Sequence, residues 1–145
     1  VHRSLPSELY KWKIHDTYTG GVPDAFYAGP SGVLFVEYKY IPKLPVRNTT
    51  KLRTTLSPIQ IEWLNKMHKF GSAKVAVVIG AEETAVILTA GEWSNPLTKQ
   101  EYVKRCVPRK NVGDWIKDQI EQKNVDNKSA TPDVGKVLHI NEGDV

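Results

Sequence analysis

Cysteine is nearly absent: the 145 residues contain one, Cys106. A single thiol excludes an intrachain disulfide framework and any zinc site built on several cysteines. It agrees with a reducing compartment. Long apolar runs are missing as well. No stretch approaches the ~18 consecutive apolar residues that a membrane helix needs, so no membrane partner is expected. No basic-then-apolar signal segment is recognisable, and the expectation is a cytoplasmic location. The four histidines, His2, His15, His68 and His139, show no ligand spacing, which leaves a zinc hydrolase without support. Acids are missing from one stretch in particular, between Tyr38 and Leu56.

What is present is ordinary for a globular chain, with 40% hydrophobic and 25% charged residues. One domain of this length can bury a sizeable core without staples. The net charge of +4 is modest, so the placement of the charge matters more than its sum. The domain is expected over residues 1–123, with 124–145 a polar tail or peripheral arm that has a short strand at 137–140.

Residues 4–18 read as a first helix through Leu5, Leu9 and Trp12, stopped by Gly20 and Gly21. Val22 to Tyr27 and Val33 to Tyr40 read as strands joined by the four-residue turn Gly29-Pro30-Ser31-Gly32. Pro42 and Pro45 end the second strand, and residues 41–56 follow as a loop. Ser57 as N-cap, Pro58 at the first position and Gly71 at the end delimit a helix. Lys74 to Ile79 is apolar enough for a central strand covered on both faces. Thr84 to Leu88 is a further strand. Thr98 and Glu101 form a capping-box pattern that opens a short helix to about Cys106. A last helix runs from Val112 to about Gln122, with Val112, Trp115, Ile116 and Ile120 on one side. The order predicts an α/β fold with a mixed sheet flanked by helices.

The strand Val33–Tyr40 carries the chemistry. Its side chains alternate, so Glu37 and Lys39 share a face with Phe35 and Val33, while Val36, Tyr38 and Tyr40 share the other. Asp24, in the preceding strand, falls opposite Glu37 if the hairpin register permits. Two close carboxylates repel unless a proton or a cation intervenes. A hard cation such as Mg²⁺ takes oxygen ligands, and the main-chain carbonyl of Tyr38 is a further candidate. Bound metal lowers the pKa of water and offsets charge on a phosphate, and Lys39 would polarise the attacking water. Spacing alone leaves a second reading open: a same-face Glu37–Lys39 ion pair on a solvated strand, with Asp24 an acid beside a turn.

The ordered segments Gly21-Val22-Pro23-Asp24, Val36-Glu37-Tyr38-Lys39 and Leu56-Ser57-Pro58-Ile59-Gln60-Ile61-Glu62-Trp63-Leu64 resemble the PD-(D/E)XK nuclease superfamily. They are nearest to its VRR-Nuc and Holliday-junction-resolvase-like phage branches. The resemblance covers about residues 5–80. It implies a restriction-endonuclease-like fold and metal-dependent DNA cleavage. It also implies Asp24 and Glu37 as metal ligands, Lys39 as catalytic lysine, Gln60 as supporting glutamine and Glu8 as an additional ligand from the first helix. Mg²⁺ is the implied cofactor, with Mn²⁺ as substitute. Branched or junction DNA and a homodimer are the implied partners, in the host cytoplasm if the chain is phage-encoded. A sequence-specific restriction-type enzyme and a non-catalytic DNA-binding module are the alternatives.

A helical wheel checks Gln60 separately. Ile59, Phe70, Trp63, Met67 and Leu64 occupy one arc of about 140°, and Gln60 falls inside it. An amide there costs stability unless it is bonded. It either borders the Glu37–Lys39 strand or snorkels from the first turn. Ile61, on the far side of that wheel, has no assigned contact. Finally, the acid-free loop supplies Lys43, Arg47, Lys51 and Arg53 beyond Lys39, interspersed with threonines and Asn48. Such a loop suits phosphate-backbone contacts. Lys104, Arg105, Arg109 and Lys110 form a second basic group. Cys106, Trp93 and Trp115 are expected to be structural.

Overall fold

The computed structural model describes residues 5–15, 20–54 and 56–121. Within them six strands form one sheet in the order of the sequence: β1 (Tyr10–Lys13), β2 (Ala25–Gly29), β3 (Gly32–Tyr40), β4 (Lys74–Ala81), β5 (Thr84–Leu88) and β6 (Val107–Pro108). Only β3 and β4 run parallel; every other pair is antiparallel. Among the described residues three α-helices accompany them, α1 (Pro58–Phe70), α2 (Lys99–Arg105) and α3 (Asn111–Ile120). The chain is thus a mixed sheet flanked by helices, the α/β, restriction-endonuclease-like arrangement expected from the sequence.

Alternation along β3 and β4 divides the core in two. Leu34 and Val36 with Ala76 and Val78 pack under α3 through Val112, Ile116 and Ile120. Val75, Val77 and Ile79 pack with Leu64 of α1 and Tyr102 of α2 on the other side. Each such aliphatic side chain contributes roughly 1.5–3 kcal/mol when fully buried. The central place expected for Lys74–Ile79 follows from this double coverage.

Two expectations are corrected. The stretch read as a first helix holds no helix among its described residues; Tyr10–Lys13 is the edge strand β1, with Tyr10 opposite Ala28 and Lys13 opposite Ala25. Tyr10 and Trp12 alternate with Lys11 and Lys13, a period of two that lays both rings edge-on against Phe26, at 6.0 and 6.4 Å. Leu5 and Leu9 are buried, but in the turn before the strand. The apolar arc of α1 is also rotated from its expected position. Leu64 is buried and Ile61, Trp63 and Met67 pack against the same core, whereas Ile59 and Phe70 are exposed at the helix ends. The arc therefore centres near Leu64, which takes in Ile61 and moves Gln60 closer to its middle.

Smaller differences follow. β2 begins at Ala25 rather than Val22, and Gly29 pairs with Gly32, which leaves Pro30 and Ser31 as a two-residue connection. Both capping predictions hold: Ser57 Oγ accepts from the Gln60 N–H, and Thr98 Oγ1 from the Glu101 N–H. α3 ends at Ile120. The expected tail and its strand at 137–140 lie outside the described residues.

Candidate active site

Glu37 is the one buried charged side chain among the described residues, 3% exposed. Its position follows from strand alternation. Val36 and Tyr38 face α3, so Glu37 faces α1 with Phe35 and Lys39. Three groups surround it. Gln60 Nε2 donates to Glu37 Oε1 at 2.9 Å. Lys39 Nζ stands 3.4 Å from the same oxygen. Asp24, one residue before β2, comes beside it because Ala25 pairs with Val36.

Asp24 has its own anchor. Its Oδ2 accepts from the Tyr38 N–H at 2.9 Å, completing the strand's hydrogen bonding where β2 has ended. In an extended strand the N–H and C=O of one residue point the same way. The Tyr38 carbonyl is therefore directed toward the Asp24 side, as a third oxygen next to the two carboxylates. On the opposite face the Tyr38 hydroxyl meets that of Tyr27 at 2.7 Å. Burial pushes both phenols up, Tyr27 to about 12, so this pair stays neutral under the strand.

Gln60 has two tasks. Its Oε1 accepts from the Ser57 N–H at 2.9 Å, closing a capping box, while its Nε2 serves Glu37. The amide that starts α1 is thus the amide that holds the carboxylate, which answers the question the helical wheel raised. The Ser-x-x-Gln spacing is a capping-box signature and carried that information in the sequence. Gln60→Leu is expected to cost about 1–3 kcal/mol in chemical denaturation, since it removes both bonds. Gln60→Glu retains the cap acceptor but sets a like charge against Glu37, which separates the two effects.

The loop before β2 is fitted to this helix start. Gly21 has φ of +85°, and a Cβ there would fall 2.6 Å from the Ile59 carbonyl oxygen. Only glycine combines that backbone with that approach. The Gly20-Gly21 pair, expected to stop a helix, instead brings the Pro23-Asp24 segment against the first turn of α1.

Electrostatics at Glu37 follow from this enclosure. Burial first, and then the neighbouring Asp24, push its carboxyl from 4.5 to about 7, with Lys39 pulling the other way. Among the described residues no three of His, Cys, Asp and Glu converge as a metal-holding group. Asp24 and Glu37 are therefore a pair, and the placement expected for Glu8 is corrected. Glu8 is exposed in a turn preceding β1, toward the hairpin end. It precedes Tyr10, which pairs with Ala28, whereas the end of β1 nearest Asp24 is Lys13; no helix among the described residues carries it to the site.

Lys43, Arg47, Lys51 and Arg53 are all exposed, on a loop that is held in place. Ile41 and Leu52 are buried. The Leu52 N–H donates to the Leu97 carbonyl, and Thr50 and Asn48 carbonyls accept from the Lys99 and Gln100 N–H groups. The second basic group divides. Arg105 pairs with Glu92 at 2.7 Å, and Arg109 lies over the Tyr40 ring, while Lys104 and Lys110 are exposed. Trp93 is buried, its Nε1 donating to Asn65 Oδ1; Trp115 and Cys106 are half-buried in packing roles.

No family model matches the chain, and no curated protein does. Among solved structures it is similar to a Holliday junction resolvase, Hjc, of the archaeal hyperthermophile Archaeoglobus fulgidus. That similarity covers 65% of this chain and 85% of the other, at 14% identity and a TM-score of 0.38. So slight a likeness carries no argument about function.

Proposed function

We propose that the protein is a Mg²⁺-dependent DNA endonuclease whose reacting centre is formed by Asp24, Glu37 and Lys39, with Gln60 as the positioning residue. The observation that carries this reading is the enclosure of Glu37. A buried carboxylate is set beside a second carboxylate, an ammonium and a fixed amide. Such a cluster is costly unless it binds a cation.

The donors fit a hard divalent ion. They are the Asp24 and Glu37 carboxylates and the Tyr38 carbonyl, all oxygen, with no thiolate or imidazole. Mg²⁺ commonly takes one or two carboxylates and keeps several waters, so a pair suffices; Mn²⁺ has similar preferences. Bound there, it would lower the pKa of a water and neutralise charge on the scissile phosphate.

The chain's own groups do the rest. Gln60 fixes one oxygen of Glu37, the carboxyl that Asp24 and Lys39 also face. Asp24, tied to the Tyr38 N–H, is turned toward that same carboxyl. Lys39, 19% exposed, can donate to an attacking water or a phosphate oxygen. Lys43, Arg47, Lys51 and Arg53 would bind the phosphate backbone, on a loop already ordered by its bonds to residues 97–100. Replacing all four by alanine is expected to reduce the slope of log affinity against log salt by about 3–4. Fluorescence anisotropy over a salt series measures this, and an unchanged slope would remove the loop from the interface.

Branched or junction DNA as substrate, a homodimer as the working unit and a cytoplasmic site of action complete the proposal; these rest on the motif resemblance. The test is a cleavage panel of linear duplex, single strand, flap and four-way junction in Mg²⁺, Mn²⁺ and EDTA. Metal-dependent cutting of branched forms is expected. Cutting confined to particular linear sequences would indicate a restriction-type enzyme, and inertness on all four would indicate a binding module.

A further inference from the structure

The α1 face of the sheet carries more than the reacting centre. Phe35, Glu37 and Lys39 share that face of β3. It extends outward through ring contacts. Phe35 meets Trp63 of α1 at 5.1 Å and Phe26 of β2 at 5.0 Å, and Phe26 meets both Tyr10 and Trp12 of β1. These rings therefore lie on the side of the sheet that holds Glu37. Helix α1 covers only the inner end of the row. At the outer end, on an edge strand, Tyr10 is 59% and Trp12 50% exposed. Adjoining exposed rings backed by a further ring make a contact surface rather than scattered apolar residues.

Register fixes where this surface lies. Trp12 stands opposite Phe26, and Phe26 is two residues from Asp24. The pairing continues past the strand, with the Ile14 N–H donating to the Asp24 carbonyl at 2.7 Å. The ring that backs Trp12 is thus the neighbour of Asp24 along its own segment. The basic loop lies in the same layer, on the other flank. Its Ile41 and Leu52 pack with Leu64 and Tyr102, and Tyr102 reaches Thr84 of β5 and the Ile79 carbonyl of β4. In the order β1 to β6, the centre on β2 and β3 separates the rings on β1 from the loop on the β4 side. A DNA strand held by the loop and crossing the centre arrives at Trp12 and Tyr10.

The edge also indicates what it accepts. β1 reads Tyr10-Lys11-Trp12-Lys13, ring and cation in alternation, with Lys13 exposed. Lysines on an edge disfavour the addition of another protein strand, which argues against a second copy of this chain there. Exposed rings interleaved with ammonium groups suit single-stranded nucleic acid, whose bases stack on the rings while its phosphates meet the cations. A base inside a duplex has both faces covered and must first unstack, at a cost that is least where it is already unpaired.

We infer that Tyr10 and Trp12 form a stacking platform for unpaired bases on one flank of the scissile phosphate, so that the favoured substrate has a single-stranded arm beginning beside the cut. This rests on the endonuclease reading and names the feature of branched DNA that the protein recognises.

The test uses forked DNA with a thymidine arm, bound in Ca²⁺ so that no cleavage intervenes, with an abasic unit walked along the arm. Such a unit keeps the phosphate and removes the base. A short run of positions should weaken wild-type binding by about tenfold, and these should adjoin the phosphate cut in Mg²⁺. Trp12→Ala should bind the intact fork about tenfold more weakly and lose nothing further at those positions. Trp12→Phe, which keeps a ring, should retain the wild-type pattern. An abasic walk without effect on the wild type overturns the platform and, where Mg²⁺ still supports cutting, leaves the nuclease reading standing. Sensitive positions remote from the cut, or an equal abasic penalty in wild type and Trp12→Ala, also overturn the inference. Self-association lost in Trp12→Ala with an unaltered abasic pattern overturns it too, and assigns the rings to a second copy. Sensitive positions that depend on Trp12, in a protein that cuts nothing, support the platform and overturn the nuclease reading.

Discussion

Glu37→Gln is expected to abolish Mg²⁺-dependent cleavage and, in the metal-free protein at pH 8, to raise stability by roughly 2–3 kcal/mol. The two effects have one cause. The folded protein holds the Glu37 proton until about pH 7, whereas the ordinary value is 4.5. Between those limits the native state binds a proton that the unfolded chain has released. Stability from this group therefore falls as pH rises from 4.5 to 7, and above 7 the native state carries the full cost of a buried carboxylate. Glutamine has the same shape, can accept from Gln60 Nε2 and never ionises. The variant should match the wild type near pH 4 and exceed it above 7, by about 5–10 °C in Tm for a chain of this size. Mg²⁺ should raise the wild-type Tm at pH 8 and leave that of Glu37→Gln unmoved. A variant no more stable than the wild type at pH 8 in EDTA would contradict the enclosure of Glu37.

Lys39→Met should lower cleavage by two to three orders of magnitude, the usual loss when one donor aimed at developing charge is removed. DNA affinity in Ca²⁺ should change little, because the backbone contacts are assigned to Lys43, Arg47, Lys51 and Arg53. Lys39 also pulls the Glu37 carboxyl down, so its loss should shift the acid limb of the pH–rate profile to higher pH. Lys39→Arg should fail to restore the rate, since a planar fork does not replace a compact ammonium. A parallel loss of affinity and rate, with no shift in the profile, would make Lys39 a binding residue only.

The legibility of the sequence varied with the length of the signal. Nine residues of β3 alternate without interruption, and that alternation alone put Glu37 with Lys39 and turned Tyr38 away. Capping chemistry located α1 and α2 because Ser57, Gly71 and Thr98 act through their own backbone bonds. The four residues of β1 are too short a run to decide: Leu5, Leu9 and Trp12 fit a helical period as readily as Tyr-Lys-Trp-Lys fits the alternation of a strand. The arc of α1 is displaced from its apolar pattern because Ile59 and Phe70 are apolar yet exposed, a distinction that depends on what lies across from them. Register governs the remainder. The position of Asp24 beside Glu37 follows from the Ala25–Val36 pairing, which sequence could offer only as a condition. The Tyr40–Arg109 contact joins residues 69 positions apart and had no local trace.

The shared amide of Gln60 has a thermal consequence. Helix ends fray before helices melt, and the first turn of α1 frays only by releasing the group that fixes Glu37. Heating should therefore disorder the reacting centre while the sheet is still intact, so that activity disappears several degrees below the midpoint of global unfolding. Amide exchange at Ser57 and Gln60 would report that early opening, ahead of the slow exchange expected in β3 and β4.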